Sequence, residues 1–133
     1  MKITLNGKEY TIKYGYAPVL KNGFISEFSK VFSNDNIEEE LLFIPRALLI
    51  GLQVNHSDEF GFSDDAEKAK KEEEVLVLFG NEVDNGNLDC SQVFIDITNE
   101  LISNSFLKGM LEKEFQNQSK APVQKKARKA VKN

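Results

Sequence analysis

The chain begins Met1-Lys-Ile-Thr-Leu-Asn-Gly-Lys-Glu-Tyr-Thr-Ile-Lys-Tyr-Gly-Tyr16, and this stretch predicts a β-hairpin. Apolar and polar side chains alternate on both sides of Asn6-Gly7, as they do in strands with one buried face. Asn-Gly supplies the two positive-φ residues of a type I′ turn, the strongest short-range hairpin signal. Because an isolated two-stranded hairpin is only marginally stable in water, its apolar face must pack against the rest of the chain.

The bulk properties predict one small globular domain. A chain of 133 residues is long enough to bury a core without disulfides or metals. With a single cysteine, Cys90, it cannot form an intrachain disulfide, which fits a reducing cytoplasm. The N-terminus lacks the apolar segment of a secretory signal. The longest apolar run, residues 41–54, is too short and too interrupted to span a bilayer.

Charge is distributed unevenly along the chain. The formal net charge is −4, but residues 119–133 hold six basic side chains and no acidic one. Residues 1–118 therefore hold 11 basic and 21 acidic side chains, a net charge of −10. Such a body repels the phosphates of nucleic acid. The basic end is either a weak contact for nucleic acid or a solvated, disordered tail.

Apolar residues recur at three- and four-residue spacing after the hairpin, which predicts helices. The first predicted helix runs from Val19 to Phe32, with an interruption at Asn22-Gly23. Residues 34–36 offer a cap for a second helix. The first turn of that helix holds the three glutamates 38–40, where the positive end of the helix dipole favours carboxylates.

The second helix is apolar around nearly its whole circumference. From Leu41 to Val54 only Arg46 and Gln53 are strongly polar. We therefore expect it to be buried on all sides, either as the central helix or with one face covered by a partner. Pro45 either kinks this helix or starts a new one, with Ile44 just outside it.

The segment after the second helix predicts a loop and a third helix. Residues 56–63 predict the loop, and Asp64 with Glu67 predicts a capping box that opens the helix. The apolar run 75–79 at its end also fits a strand, but its fusion to a long helix-forming segment favours a helix. Asn85-Gly86 predicts the next turn.

A fourth helix carries apolar residues between positions 93 and 102, residues 103–105 weaken or bend it, and residues 106–115 add a last segment. The predicted fold class is mainly α with a short N-terminal β-hairpin, an α+β fold with a small bundle of four to five helices. We expect a single helical domain over residues 1–118, its hairpin in residues 1–16, and a basic, disordered tail over residues 119–133.

The sequence offers little chemistry for catalysis. His56 is the only histidine, so one chain cannot place several histidines around a metal. A nucleophilic pair would need Cys90 with His56, and a buried or incidental cysteine is the simpler interpretation. The acids between residues 58 and 65 lack the ligand spacing of a calcium loop. Nucleotide-binding, zinc-protease and serine-hydrolase motifs are absent from the sequence. We expect neither an enzyme nor a cofactor or metal.

The apolar content points instead to binding. Ten phenylalanines in a small helical fold are expected mostly in the core. Part of the second helix and the ends of the third and fourth are predicted to form an apolar groove that receives an amphipathic helix of another protein. The residues predicted to bind the partner are Leu41, Leu48, Leu49, Leu52, Val75, Leu78, Phe79, Val93, Ile97 and Leu101.

Residues 1–19, with the core Asn6-Gly7-Lys8-x-Tyr10, resemble the start of tail assembly chaperones from long-tailed phages and prophages of Gram-positive bacteria. In that family a short hairpin leads into a helical body of similar length. The similarity extends more loosely to about Gln118. The resemblance covers the hairpin motif and not the groove, so it assigns no binding residue individually.

The resemblance implies a function in phage assembly. Such chaperones coat the long, helical, apolar tape measure protein until the tail tube protein displaces them, and they are absent from the finished virion. It implies that this chain binds the tape measure protein, self-associates and remains in the host cytoplasm, with no membrane partner. Family members are often made in a second, longer form by ribosomal frameshifting, which could contact the tail tube protein. Lys125-Lys126 is compatible with slippery codons.

Two other functions stay open. A small nucleic-acid-associated or regulatory protein could bind phosphates with the basic tail. The acidic body and the lack of a helix rich in base-contacting side chains disfavour nucleic acid. A structural tail or head-completion protein would remain in the virion.

Overall fold

A computed structural model describes residues 1–110 of the chain. Within these residues, a pair of antiparallel strands is followed by six helices. The strands are β1 (Lys2–Leu5) and β2 (Lys8–Thr11), and the helices are α1 (Tyr16–Lys21), α2 (Phe24–Phe32), α3 (Ile37–Leu52), α4 (Ser57–Phe60), α5 (Asp65–Asp84) and α6 (Cys90–Ser103). The predicted fold class, mainly α with a short N-terminal hairpin, is confirmed, with more helices than the four or five expected.

The hairpin forms as its sequence predicts. β1 and β2 pair antiparallel, with Ile3 opposite Tyr10. Asn6 and Gly7 have φ angles of 50° and 79°, the positive values that a type I′ turn requires. Ile3, Tyr10 and Leu5 are buried. One face of the hairpin therefore belongs to the core.

Helix α3 is the centre of the fold. The hairpin and helices α2, α4, α5 and α6 all pack against it. From Phe43 to Leu52 every residue except Arg46 is buried. This confirms, for the last ten residues of the helix, that an apolar circumference is covered on all sides.

The hairpin and α3 approach each other closely at Gly51. The Lys13 backbone N–H donates to the Gly51 carbonyl at 2.9 Å. A Cβ atom on residue 51 would clash with Ile12 Cγ2 and lie 3.3 Å from the ring of Tyr14, so glycine is the residue that fits. Tyr14 is buried, its hydroxyl donates to the Ala47 carbonyl at 3.0 Å, and burial raises the pKa of this phenol above its usual range.

The first predicted helix is in fact two helices. The structure separates α1 from α2 at Asn22-Gly23, where Gly23 adopts a φ of 61°. Residues other than glycine rarely take this left-handed conformation. The prediction of one helix from Val19 to Phe32 is wrong because Gly23 interrupts the helical hydrogen bonds and turns the chain.

The predicted loop at residues 56–63 contains the short helix α4, which ties β2 to the end of α3. His56 Nε2 accepts the Thr11 backbone N–H at 3.0 Å. Glu59 accepts the Tyr10 hydroxyl at 3.0 Å and pairs with Lys8 at 2.9 Å. The hydrogen bond from Lys8 lowers the pKa of the Glu59 carboxyl.

The observed helices α3 and α5 decide two questions that the sequence left open and test one capping prediction. Helix α3 is continuous through Pro45, so no new helix begins there. The run 75–79 is helical within α5, as its context favoured. Asp64 caps α5, since its Oδ1 accepts the Glu67 backbone N–H at 2.8 Å. The returning bond of the capping box goes from Ser63 N–H to the Glu67 carboxylate at 2.7 Å rather than from Asp64.

Helix α6 ends at Ser103, within the stretch where the sequence predicted weakening. Leu107 beyond it is buried in the core. Of the predicted last segment, 106–115, the structure describes residues up to Met110. The predicted end of the domain at residue 118 and the basic tail 119–133 lie outside the described residues. Among the helices of residues 1–110, none has the length and apolar character needed to cross a bilayer.

The N-terminal amine fastens the hairpin to α6. The Met1 ammonium donates to Glu100 Oε1 at 2.7 Å. Glu100 is a buried acid, 9% exposed. The Met1 carbonyl also accepts the Ile12 N–H at 2.8 Å. A charge-assisted bond shielded from water is stronger than a neutral one, so this pair stabilises the contact between the first strand and α6.

We predict that Gly51→Ala lowers the free energy of unfolding by about 1–3 kcal/mol, because the added methyl must displace Ile12 or Tyr14. Gly80→Ala is the matched control: Gly80 lies in α5, nothing lies within 4 Å of an added Cβ, and alanine favours a helix by about 1 kcal/mol. Urea denaturation followed by circular dichroism measures both. A Gly51→Ala protein as stable as the parent would contradict the close approach.

We predict that Glu100→Gln lowers the free energy of unfolding by about 1–3 kcal/mol, because glutamine keeps an acceptor oxygen but leaves the Met1 ammonium without its counter-charge. Glu9→Gln serves as the control, because the Glu9–Lys2 pair is 3.7 Å long and exposed; its effect should stay within about 0.5 kcal/mol. Thermal and urea unfolding at neutral pH measure both variants. Equal effects would show that the buried pair contributes no more than a surface pair.

Candidate partner-binding surface

The ten residues predicted to bind a partner occupy three kinds of position. Leu41 is 46% exposed, and Leu78 is partly buried against the core. The other eight are buried: Leu48, Leu49, Leu52, Val75, Phe79, Val93, Ile97 and Leu101. These eight side chains do not line an open groove, because they hold the helices of the domain together.

The burial follows from the way α5 and α6 cover α3. At about 100° per residue, Ile37, Leu41, Leu48 and Leu52 fall on one side of α3. Both α5 and α6 pack against α3, and the C-terminal half of this stripe is fully buried. The N-terminal half of the stripe, which holds Ile37 and Leu41, remains exposed. The periodicity of the sequence indicated that the stripe is apolar, but it could not indicate how much of the stripe α5 and α6 cover.

Two exposed apolar residues at the start of α3 form what we call the α3 patch: Ile37, 72% exposed, and Leu41, 46% exposed. Leu42 is also exposed, but it points about 100° away from Leu41 and lies beyond Glu38. Ile37 and Leu41 are one turn apart on the same face. Contiguous exposed apolar surface is typical of interaction sites, whereas single exposed residues are ordinary.

Other exposed apolar residues are arranged less favourably for binding. Leu76 and Val77 on α5 are consecutive, so they point about 100° apart. Ile95 is exposed on α6 without an exposed large apolar neighbour one turn away in that helix.

Tyr16 and Phe106 are exposed but contact each other edge to face, with ring centroids 5.2 Å apart. Tyr16 and Leu20 on α1 are also exposed and one turn apart, but that helix contains no acidic residue. We take the α3 patch as the candidate site because carboxylates flank it.

Carboxylates surround the α3 patch. Helix α3 begins after Asn36, whose side chain accepts the Glu39 N–H at 3.1 Å. Glu38, Glu39 and Glu40 occupy the first turn, where the helix dipole favours negative charge. Burial, and then the charge of Asp35, raise the pKa of the Glu40 carboxyl. Within residues 1–110 none of these acids forms a salt bridge, so the rim of the patch is negatively charged.

Pro45 changes the backbone beneath the patch. A proline inside a helix has no N–H to donate to the carbonyl four residues earlier. For Pro45 that carbonyl belongs to Leu41. Leu41 therefore presents an apolar side chain and a carbonyl that lacks its usual helical donor. The outer end of α3 combines apolar anchors with carboxylates.

Three other features are candidates for chemistry: His56, Cys90 and a surface cleft. His56 Nε2 already accepts a backbone hydrogen bond from Thr11, and Cys90 is partly buried at the start of α6. A cleft of about 680 Å³ lies between the hairpin turn and the end of α5. At its edge the Asn6 N–H donates to Glu82 at 2.9 Å, which lowers the pKa of that carboxyl. In residues 1–110 no group of three or more His, Cys, Asp or Glu side chains could hold a metal ion.

Comparison of the chain with protein-family models, with curated proteins and with solved structures finds no match. The resemblance to tail assembly chaperones therefore depends on the hairpin sequence and its helical continuation.

Sequence reasoning identified Leu41 but missed Ile37 and Leu42 as surface residues. Leu42 lay inside a run predicted to be buried, so the sequence alone could not have separated it from its neighbours. Ile37 could have been noticed, because it stands four residues before Leu41 and directly precedes three glutamates. A single apolar residue among the charged residues of a first turn has no adjacent apolar residues with which it would be buried.

We predict that aspartate is tolerated at Leu41 and not at Leu48. Leu41→Asp should change the free energy of unfolding by less than about 1 kcal/mol, because residue 41 is half exposed. Leu48→Asp should cost more than about 4 kcal/mol, because it would bury a charge at a residue with 0% exposure. Circular dichroism melts and size-exclusion chromatography test this. Similar losses in the two variants would place Leu41 in the core.

Proposed function

We propose that this chain is a phage tail assembly chaperone that binds and solubilises the helical tape measure protein during tail morphogenesis. The observation that carries the proposal is the α3 patch, two exposed apolar side chains one turn apart and flanked by carboxylates, on a body of net negative charge. The hairpin motif Asn6-Gly7-Lys8-x-Tyr10 supports the same family. The confirmed hairpin-plus-helices fold is compatible with it.

The physical task of such a chaperone matches the surface of this chain. A long apolar helix aggregates unless its exposed face is covered, and a chaperone can cover it with a few apolar anchors at one-turn spacing. Ile37 and Leu41 have that spacing. A net charge of −10 over residues 1–118 keeps coated clients apart by repulsion.

A small patch also suits reversible binding. A contact made by two apolar side chains is weak by itself, but many copies along one client act together through multivalency. Weak self-association of neighbouring copies would strengthen the coat. The tail tube protein could then displace the bound copies of this chain one at a time. A longer frameshifted form of this chain could recruit the tail tube protein. On this proposal the protein acts in the host cytoplasm and is absent from the mature virion.

The test is co-expression of the full chain with the tape measure protein of the same phage or prophage, followed by affinity purification and light scattering. We expect a soluble complex with many copies of this chain per client. The double variant Ile37→Ser/Leu41→Ser should leave the client insoluble. The matched control, Leu76→Ser/Val77→Ser, removes two equally apolar exposed residues from α5 and should preserve the complex.

Two outcomes would decide against the proposal. If the tape measure protein precipitates while the parent chain stays soluble, the chaperone function fails. If mass spectrometry finds this chain in purified virions, it is a structural tail or head-completion protein. The nucleic-acid alternative would be favoured by a salt-sensitive gel shift that is lost on deletion of residues 119–133.

A further inference from the structure

The electrostatics of the α3 patch restrict what can bind there. Ile37 and Leu41 lie close together on one face of α3, and at about 100° per residue Glu38 and Glu40 project to opposite sides of that face. The apolar anchors therefore lie between two carboxylates. A bound helix would bring the residues flanking its own apolar seam next to these acids.

The acids near the patch are available to a ligand. None of Asp35, Glu38, Glu39 and Glu40 has a cationic partner within the described residues of the chain. The Glu39 side chain accepts one hydrogen bond, from Asn34 Nδ2 at 3.2 Å. A raised pKa at Glu40 is consistent with negative charge that is crowded and partly removed from water. A cation placed here would relieve that crowding.

The carboxylates beside the patch favour ligands that donate hydrogen bonds, because an ionised carboxylate only accepts them. Lysine and arginine side chains carry several donors each, and an acidic side chain at neutral pH carries none. Side chains that donate hydrogen bonds therefore fit the acidic rim of the patch.

Two other occupants fit less well. A second copy meeting this patch through a two-fold axis would place the same carboxylates opposite one another, which is repulsive. Residues 119–133 of this chain carry the right charge, but their apolar residues are limited to alanine, valine and proline. They supply no large side chain to cover two exposed aliphatic residues.

We propose that the α3 patch is the docking site for an amphipathic helix of another protein whose apolar seam is flanked by lysine or arginine. This inference rests on the proposed function, since it names the class of tape measure segment that the site selects. The anchors are Ile37 and Leu41, and the selecting charges are Glu38 and Glu40. Helices with acidic flanks are excluded by repulsion at the same contact.

The test uses two labelled synthetic helices with the same leucine and isoleucine seam, one flanked by lysines and one by glutamates. Fluorescence anisotropy with the full chain measures both affinities. We expect the lysine-flanked helix to bind at least about tenfold more tightly at low salt, with the difference shrinking at high salt because exposed charges are screened. Leu41→Ser should weaken this binding, whereas Ile95→Ser, at a residue with 49% exposure, should not.

A charge-matched pair of variants isolates the rim. Glu38→Gln/Glu40→Gln should reduce the preference for the lysine-flanked helix severalfold. Glu72→Gln/Glu73→Gln removes the same charge from α5 and should leave the preference unchanged. Circular dichroism of each variant verifies that it remains folded. An equal effect of both pairs would mean that overall charge, and not the rim of the patch, governs selection.

Several results would overturn the inference. Equal affinity for the two helices would remove the charge selection. If the lysine-flanked helix bound only after deletion of residues 119–133, the tail would be the occupant. If Leu41→Ser dissociated an oligomer without weakening the binding of the lysine-flanked helix, the occupant of the patch would be a second copy of this chain. If the chain forms the tape measure complex but binds the two synthetic helices equally, this inference alone is refuted. If the chain prefers the lysine-flanked helix but forms no tape measure complex, the proposed function is refuted instead.

Discussion

The structure depends on the packing of the hairpin against α3 at Gly51. The absence of a side chain there allows Ile12 and the ring of Tyr14 to lie directly on the helix backbone. Tyr14 then donates its hydroxyl to the Ala47 carbonyl, and His56, which lies after the end of α3 and directly before α4, accepts the Thr11 N–H of β2. Because an isolated hairpin is unstable, these contacts are what turn the N-terminal sequence into a component of the core.

The same arrangement explains the candidate site. The hairpin, α5 and α6 bury α3 from Phe43 to Leu52, while its first two turns extend beyond this cover. Three aliphatic residues remain at the surface as a consequence. The glutamates of the first turn stabilise the helix start through the dipole and also keep the exposed end charged. The acidic rim thus limits non-specific association at an apolar patch.

Local signals predicted the local structure well. Asn6-Gly7 predicted the turn type, Asp64 predicted the start of α5, and the apolar circumference after residue 43 predicted a buried helix. The wrong predictions concerned one backbone conformation and the long-range packing. The left-handed conformation of Gly23 decided between one helix and two, and contacts with β2 accompany a short helix at residues 57–60. Most of the predicted groove residues became core because the cover supplied by α5 and α6 depends on long-range packing.

Amide hydrogen exchange of the full chain, alone and bound to the tape measure protein, would test the central claim most directly. If α3 docks the client through its exposed end, binding should slow exchange across residues 36–46 and leave the charged first half of α5, residues 65–74, unchanged. Protection confined to α5 or to the hairpin, with residues 36–46 exchanging as fast as in the free protein, would contradict the account.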